Sequence, residues 1–319
     1  MHLYQNAVSF TASFALLVCI MLLLRARDVV SKSDAPLIAR LTLDFVLPAL
    51  LMSKLSTARL NQEVLRVSFY IFLAESVIGL ISFYIGKYIL RLPRPSLAPF
   101  ILCSTFGSTA ILGTAFLTSI LDGDAQSVAF GLLVSQLSVG VPAYFIIPTV
   151  SLYFSDKHAE FDLLGLLRHI LLSPPIIAIF VGIAWSLSKA PTLGPLLTPI
   201  FNALDFAAAT LVFMVALLNA LALEPISLKS HGFAILFCTF LVLLLEPLLV
   251  YWMESYSQIS IRDMQISFIL AAMPASNSVI AYSIRYHTDE KLAAALVTST
   301  AVLDCLVLPS LMPFFVIFH

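Results

Sequence analysis

Charged residues are scarce in this sequence. Only 17 Lys and Arg and 18 Asp and Glu occur among 319 residues, 11% of the chain. Soluble domains carry about a quarter, so there is too little polar surface to cover a water-soluble globule. A net charge of −1 without a basic tail gives nucleic acid no electrostatic foothold. Cysteine is sparse too. Cys19, Cys103, Cys238 and Cys305 all lie in apolar runs and read as small buried hydrophobes, not as a disulfide framework or a metal site. No HExxH motif, GxSxG elbow or phosphate-binding glycine loop occurs. The sequence therefore points away from an enzyme, from ATP-driven pumping by this chain and from a resident cofactor.

What is abundant is apolar length. Hydrophobic residues make up 60% of the chain and the mean hydropathy is +1.01. A bilayer-spanning helix needs ~20 apolar residues. The hydropathy predicts ten spans: 5–24, 35–55, 65–90, 96–120, 125–154, 161–187, 194–221, 230–253, 263–285 and 290–318. The first has its positive charges after the apolar run, which reads as a membrane helix and not as a cleaved leader. Connections are short, leaving no length for a soluble domain. The most polar connection, SDKHAEFD at 155–162, separates two sets of five spans. The fold class expected is an all-α integral membrane protein.

Lys and Arg placement sets orientation. Loops after odd-numbered spans, with their helix ends, hold Arg25, Arg27, Lys32, Arg40, Lys87, Arg91, Arg94, Lys157, Arg168, Lys229, Arg285 and Lys291. Loops after even-numbered spans hold only Lys54, Arg59, Arg66, Lys189 and Arg262. This places the odd loops in the cytoplasm and both termini outside. Five spans per half is an odd number, so the second half enters inverted. The expected organisation is a first repeat over 1–155 and an inverted second repeat over 156–319. Weak internal correspondences agree. Glu75 in span 3 and Glu246 in span 8 each stand alone in an apolar run, and Glu75 to Phe106 is the same offset as Glu246 to Asn277. Spans 5 and 10 each carry an inner proline, Pro142 and Pro309.

The centres of spans 4 and 9 are the most informative. STFGSTAILG runs from Ser104 to Gly113 and AAMPASNSVIA from Ala271 to Ala281. Glycine and proline weaken or break a helix. Bare backbone at membrane depth is tolerated only against protein or a wet cavity. Breaks at matching places in two halves point to a transporter site, and broken helix ends present N–H groups that suit an anion. Gly107, Ser108, Thr109 and Gly113, with Pro274, Ala275, Ser276 and Asn277, are the candidate substrate-binding residues, Asn277 being expected to face Ser108. The plain alternative is close packing of small residues between helices.

Acidic residues inside the spans come next: Asp44, Glu75, Asp205, Glu246 and Asp304. An intramembrane carboxyl is a functional candidate by default, able to take up and release a proton. The alternative is a neutral group that bridges helices, and Glu246 can also cap a kink at Pro247. Ser135, Gln136 and Ser138 in span 5, Asn219 in span 7 and Thr298, Ser299 and Thr300 in span 10 are cavity-lining candidates. Ser and Thr in membrane helices more often bond their own backbone.

Four stretches resemble the auxin efflux carrier family, which also holds bacterial malate and malonate permeases. They are LIARLTLDFVLPALLMSKLS at 37–56, FGSTAILGTAF at 106–116, LLSPPIIAIFVGI at 171–183, and 271–309 from AAMPASNSVIAY to AVLDCLVLP. Ser108 stands where the family usually has asparagine, and Ala115 where it often has proline. The resemblance implies ten helices as a five-plus-five inverted repeat, like bile acid symporters and sodium/proton antiporters. It implies that helices 4 and 9 break and cross at the substrate site. It further implies a scaffold of helices 1, 2, 6 and 7, a mobile transport domain of helices 3–5 and 8–10, and a homodimer through the scaffold. The function implied is elevator-type secondary transport of a small organic anion such as a carboxylate across the plasma membrane, with H⁺ or Na⁺ as the coupling ion. A sodium-coupled bile-acid-type symporter is the alternative within transport. A membrane receptor without transport is the alternative outside it, and the lack of a soluble output domain weighs against that.

The orientation is directly testable. A cysteine at position 158 is expected to resist an impermeant thiol reagent in intact cells and to react after permeabilisation. Ready labelling from outside would reverse the assignment.

Overall fold

The computed structural model describes residues 2–57, 61–121, 124–155, 165, 168, 171–222 and 228–317. Most of the polar connection at 155–162, with position 158, lies outside the described residues, as does the start of the sixth predicted span. The described chain is helical, with one isolated two-residue bridge.

We label the helices by the spans they match. They are α1 (His2–Ala26), α2 (35–55), α3 (Gln62–Ile89), α4a (Arg94–Thr105), α4b (Thr109–Ile120), α5 (125–154) and α6 (Pro174–Leu187). Then follow α7 (Leu197–Leu221), α8 (228–255), α9a (Ile261–Ala271), α9b (Ser278–Tyr286) and α10 (Glu290–Ile317). Among the described residues six helices are long and apolar enough to cross a membrane, within α1, α3, α5, α7, α8 and α10. The other predicted spans depart from that form for visible reasons. Spans 4 and 9 are each broken into two short helices, only the later part of span 6 is described, and α2 carries Arg40, Asp44 and Lys54.

Local sequence sets the helix ends and bends. Asn61 caps α3 by accepting the Val64 N–H at 2.9 Å, and Ser260 caps α9a by accepting that of Asp263 at 3.2 Å. Pro174 and Pro175 open α6, where an N–H would have no helical partner. Wide π-type turns at 42–46, 136–140 and 241–245 each run up to a proline two residues on, Pro48, Pro142 and Pro247. Such a turn accommodates the carbonyl that a proline cannot satisfy.

The outer surface is apolar. Leu196 is 82% exposed, Phe206 76% and Phe233 74%. Water would penalise these side chains and lipid does not. Inside, α2 packs on α6 and α7, and α1 on α7 and α10. Gly182 of α6 lets the helices approach until a Cβ there would sit 2.9 Å from Leu55 Cβ. Asp205 of α7 accepts hydrogen bonds from Ser53 at 2.5 Å and from Lys54 at 2.8 Å, so this intramembrane acid is occupied bracing α2 to α7. Arg25 caps the end of α7 through the carbonyl of Ala220 at 2.9 Å.

Contacts between loops fix which ends share a face. At the start of α4a, Ser96 donates to the Asp289 carboxylate at 2.7 Å, and the Asp289 N–H donates to the Pro95 carbonyl at 3.1 Å. At the start of α9a, Arg262 pairs with Asp124, just ahead of α5. Each aspartate also caps the helix it precedes, through Leu292 N–H at 3.0 Å and Ser127 N–H at 3.3 Å. The start of helix 4 is therefore clasped to the turn before helix 10, and the start of helix 9 to the turn before helix 5. Helices 4 and 9 run antiparallel, with the 3–4 and 9–10 turns on one face and the 4–5 and 8–9 turns on the other.

The second clasp has a pH signature. Hydrogen bonds from Ser127, aided by the Arg262 guanidinium, hold the Asp124 carboxyl below the ordinary carboxylate range despite some opposing burial. A depressed folded-state value contributes stability that is present above the unfolded value, about 3.9, and is lost as pH falls through the lower folded value. Asp124→Asn should therefore lower thermal stability in detergent at pH 7 by roughly 0.5 kcal/mol, the scale of an exposed ion pair. The difference from wild type should vanish once the pH is below the carboxylate range. An equal deficit at both extremes would show that the carboxylate charge is not what stabilises the clasp.

Candidate functional site

Span 4 stops being helical at Phe106, which is extended at φ −103° and ψ 109°. Span 9 stops ahead of Pro274, as expected of residues preceding a proline. The two openings meet. Ser108 N–H donates to the Pro274 carbonyl at 2.7 Å, and Ser276 N–H to the Phe106 carbonyl at 2.9 Å, making an antiparallel bridge between Gly107 and Ala275. A Cβ on Gly107 would stand 3.0 Å from the Met273 carbonyl oxygen, so any larger residue would press on the facing backbone.

Two flanking helices brace the bridge. Thr300 of α10 accepts the Ala275 N–H at 3.2 Å, and Ser135 of α5 donates to the Thr109 hydroxyl at 2.9 Å. Ser138 and Ser299 bond their own helix backbone, at 2.7 and 2.6 Å. Thr298 is buried. Gly113 packs against Leu270 and Met273. Asn277 does not hydrogen-bond Ser108; its amide donates to Asn219 of α7 at 3.3 Å, joining α9 to α7. That leaves the Asn277 carbonyl oxygen and the Asn219 nitrogen buried without partners.

On the face of the 3–4 and 9–10 turns, a cavity of about 270 Å³ descends to the crossing. Its floor is Phe106 to Ile111 with Ser276 and Ser278. Its walls are Gln136, Val139, Gly140, Ala143, Tyr144 and Ile147 of α5, Ala281, Tyr282 and Arg285 of α9b, and Leu47 of α2. The Gln136 side-chain nitrogen is buried there without a hydrogen-bond partner. Both α4b and α9b begin at the crossing. In α9b the N–H groups of Ser278, Val279 and Ile280 are bonded to Ser276 and Asn277, so the N–H end that faces the cavity is the start of α4b. Among the described residues Arg285 is the one formal charge on the cavity wall.

On the opposite side of the crossing a pocket of about 310 Å³ stops at Phe10 and Phe14. Phe10 of α1 meets Phe116 of α4b edge-on at 5.2 Å and stacks with Phe14 at 6.0 Å. Behind them a void of about 30 Å³ touches Met273, Pro274 and Asp304.

The five acidic candidates separate by partnership. Asp205 is bonded as above, and Asp44 is paired with Arg40 at 3.6 Å on an exposed part of α2. Glu75 and Glu246 are each 2% exposed, lie close enough to interact electrostatically, and leave three of their four oxygens without partners. One Asp304 oxygen is likewise buried and unpartnered.

Arg285, Tyr282, Tyr144 and Ser278 belong to the cavity although sequence reasoning did not single them out as site residues. Arg285 entered only as a loop charge for orientation. The signal was available: Ser278, Ala281, Tyr282 and Arg285 share one face of a helix by their spacing.

Broken helices that meet beside a cavity are a feature of membrane transporters, and the chain is a multi-pass protein of that class. It belongs to the auxin efflux carrier family: the family described as "Membrane transport protein" matches residues 10–312. It is also similar to an uncharacterized transporter of Methanocaldococcus jannaschii, 22% identical over 254 residues, covering 77% of each chain.

The bridge makes a sharp demand on residue 107. Gly107→Ala should cost about 1–3 kcal/mol of stability, the range for overpacking, seen as a lower thermal midpoint in detergent together with loss of transport. An unchanged midpoint would mean that the two openings are not held this closely.

Proposed function

We propose that the chain is a secondary transporter of a small organic anion, bound at the crossing of helices 4 and 9. One observation carries the reading: the cavity ends on the N–H start of α4b and an unpartnered Gln136 amide nitrogen, and the formal charge on its wall is positive. Donors and positive potential suit a carboxylate. Ser108, Thr109 and Ser276 line this floor, whereas Asn277 contacts α7 and is placed to report on movement between the two sets of helices.

In this reading α1, α2, α6 and α7 form a scaffold and α3–α5 with α8–α10 a transport domain, the two inverted repeats being 1–155 and 156–319. The paired clasps at the starts of helices 4 and 9 support such a repeat. The transport domain shifts in elevator fashion, the Phe10–Phe116 contact opens, and the site faces the other side. A homodimer through the scaffold, in the plasma membrane with the cavity toward the cytoplasm, completes the proposal. Uptake of radiolabelled carboxylates into proteoliposomes over a pH series tests it, with and without sodium. Carboxylate-selective, saturable uptake is expected; equal retention of neutral analogues would refute it.

Coupling to protons falls to Glu75 and Glu246, which face each other from corresponding helices. A proton taken up in one state and released in the other biases the exchange between states, by at most the difference in proton affinity, ~1.4 kcal/mol per unit. Glu75→Gln keeps shape and hydrogen bonding but cannot titrate. It should still bind substrate and lose the pH dependence of transport. Normal transport with its pH dependence intact would leave Glu75 as a helix brace.

A further inference from the structure

We infer that Arg285 is the residue that reads the substrate's carboxylate at the cavity mouth and so sets selectivity for anions; this rests on the organic-anion reading above. Arg285 lies in the last turn of α9b, seven residues beyond Ser278 on the same helix face. At 1.5 Å rise per residue its Cα is about 10 Å above the crossing floor. It is the one charged side chain lining the cavity and forms no ion pair among the described residues.

Its surroundings hold it ready for a ligand. The guanidinium carbon sits 5.7 Å from the Tyr286 ring centroid, and the Tyr286 ring stacks on Tyr282 at 6.1 Å and 3°. Tyr282 lines the cavity, and Tyr144 across from it is close enough to interact electrostatically with both Tyr282 and Asp44. The nearby acid is already engaged, because Asp44 pairs with Arg40. An aromatic face orients a guanidinium without consuming its hydrogen-bond donors, so the fork stays free for a carboxylate. Between Arg285 and the floor the wall is Val139, Ala143, Ile147 and the two tyrosine rings. The ligand that fits is a carboxylate with a compact apolar or aromatic body, its acid held between Arg285 and the donors of the floor and its body along this wall. A lysine keeps the charge but not the planar fork, so it replaces arginine only in part.

The test uses the full-length protein in nanodiscs with phenylacetate, succinate and pyruvate as probes and phenylacetamide as the neutral control. Wild type is expected to bind phenylacetate and not phenylacetamide, more weakly as salt rises. Arg285→Gln should weaken phenylacetate binding about tenfold or more, as for a hydrogen bond to a charged group, and flatten the salt dependence. Arg285→Lys should fall between, and both variants should elute as wild type on size exclusion. If Arg285→Gln binds like wild type with the same salt dependence, the inference is overturned while organic-anion transport can stand; if phenylacetamide binds as well as phenylacetate, the inference and the organic-anion reading both fall. If wild type binds none of the three acids, the organic-anion reading itself fails and takes the inference with it.

Discussion

A backbone N–H or C=O left bare at membrane depth costs several kcal/mol. That constraint governs the middle of this protein. Breaking one helix at Phe106 and another before Pro274 frees backbone groups that cannot reach water through lipid. The two openings satisfy one another instead, Ser108 to Pro274 at 2.7 Å and Ser276 to Phe106 at 2.9 Å. Gly107 suits the close approach of the chains, Thr300 takes the Ala275 N–H, and Ser135 ties α5 to the Thr109 hydroxyl beside the bridge. The groups not consumed there are the N–H groups at the start of α4b, and these are what the cavity can offer an anion.

The remaining architecture keeps that bridge in place while leaving one side open. Each end of the crossing is clasped by an aspartate that caps the following helix, Asp289 at one face and Asp124 at the other. The Phe10, Phe14 and Phe116 cluster shuts one side and the cavity approaches from the other. A site closed by a few aromatic contacts on one side and open on the other is suited to exchange its access without being rebuilt. The buried Glu75 and Glu246 lie away from the cavity wall, which suits groups that bias a domain's position and do not touch the solute.

Much of this was legible in the sequence. Sparse charge and long apolar runs gave the membrane class, and the Gly/Ser/Thr and Pro/Ser/Asn centres gave both helix breaks. Partnership was not legible. Asp205 and Glu75 look alike in an apolar run, yet Asp205 is occupied by Ser53 and Lys54, which only the packing of α2 on α7 brings near. Asn277 was expected across from Ser108, but which face of the crossing each side chain takes depends on the bridge register, and Pro274 and Ser276 are the partners there. Arg285 was obscured for a different reason: a basic residue near a helix end serves both topology and a cavity mouth, and the sequence alone does not separate the two.

The central claim is that an organic anion binds where the broken helices cross. Ser278→Cys places a thiol on the cavity floor, and its alkylation by N-ethylmaleimide can be followed by peptide mass in purified protein. The account predicts that a saturating carboxylate substrate slows modification at position 278 while leaving Cys19, exposed on α1, unaffected. Modification at 278 that proceeds at the same rate with the site saturated would place the bound anion elsewhere.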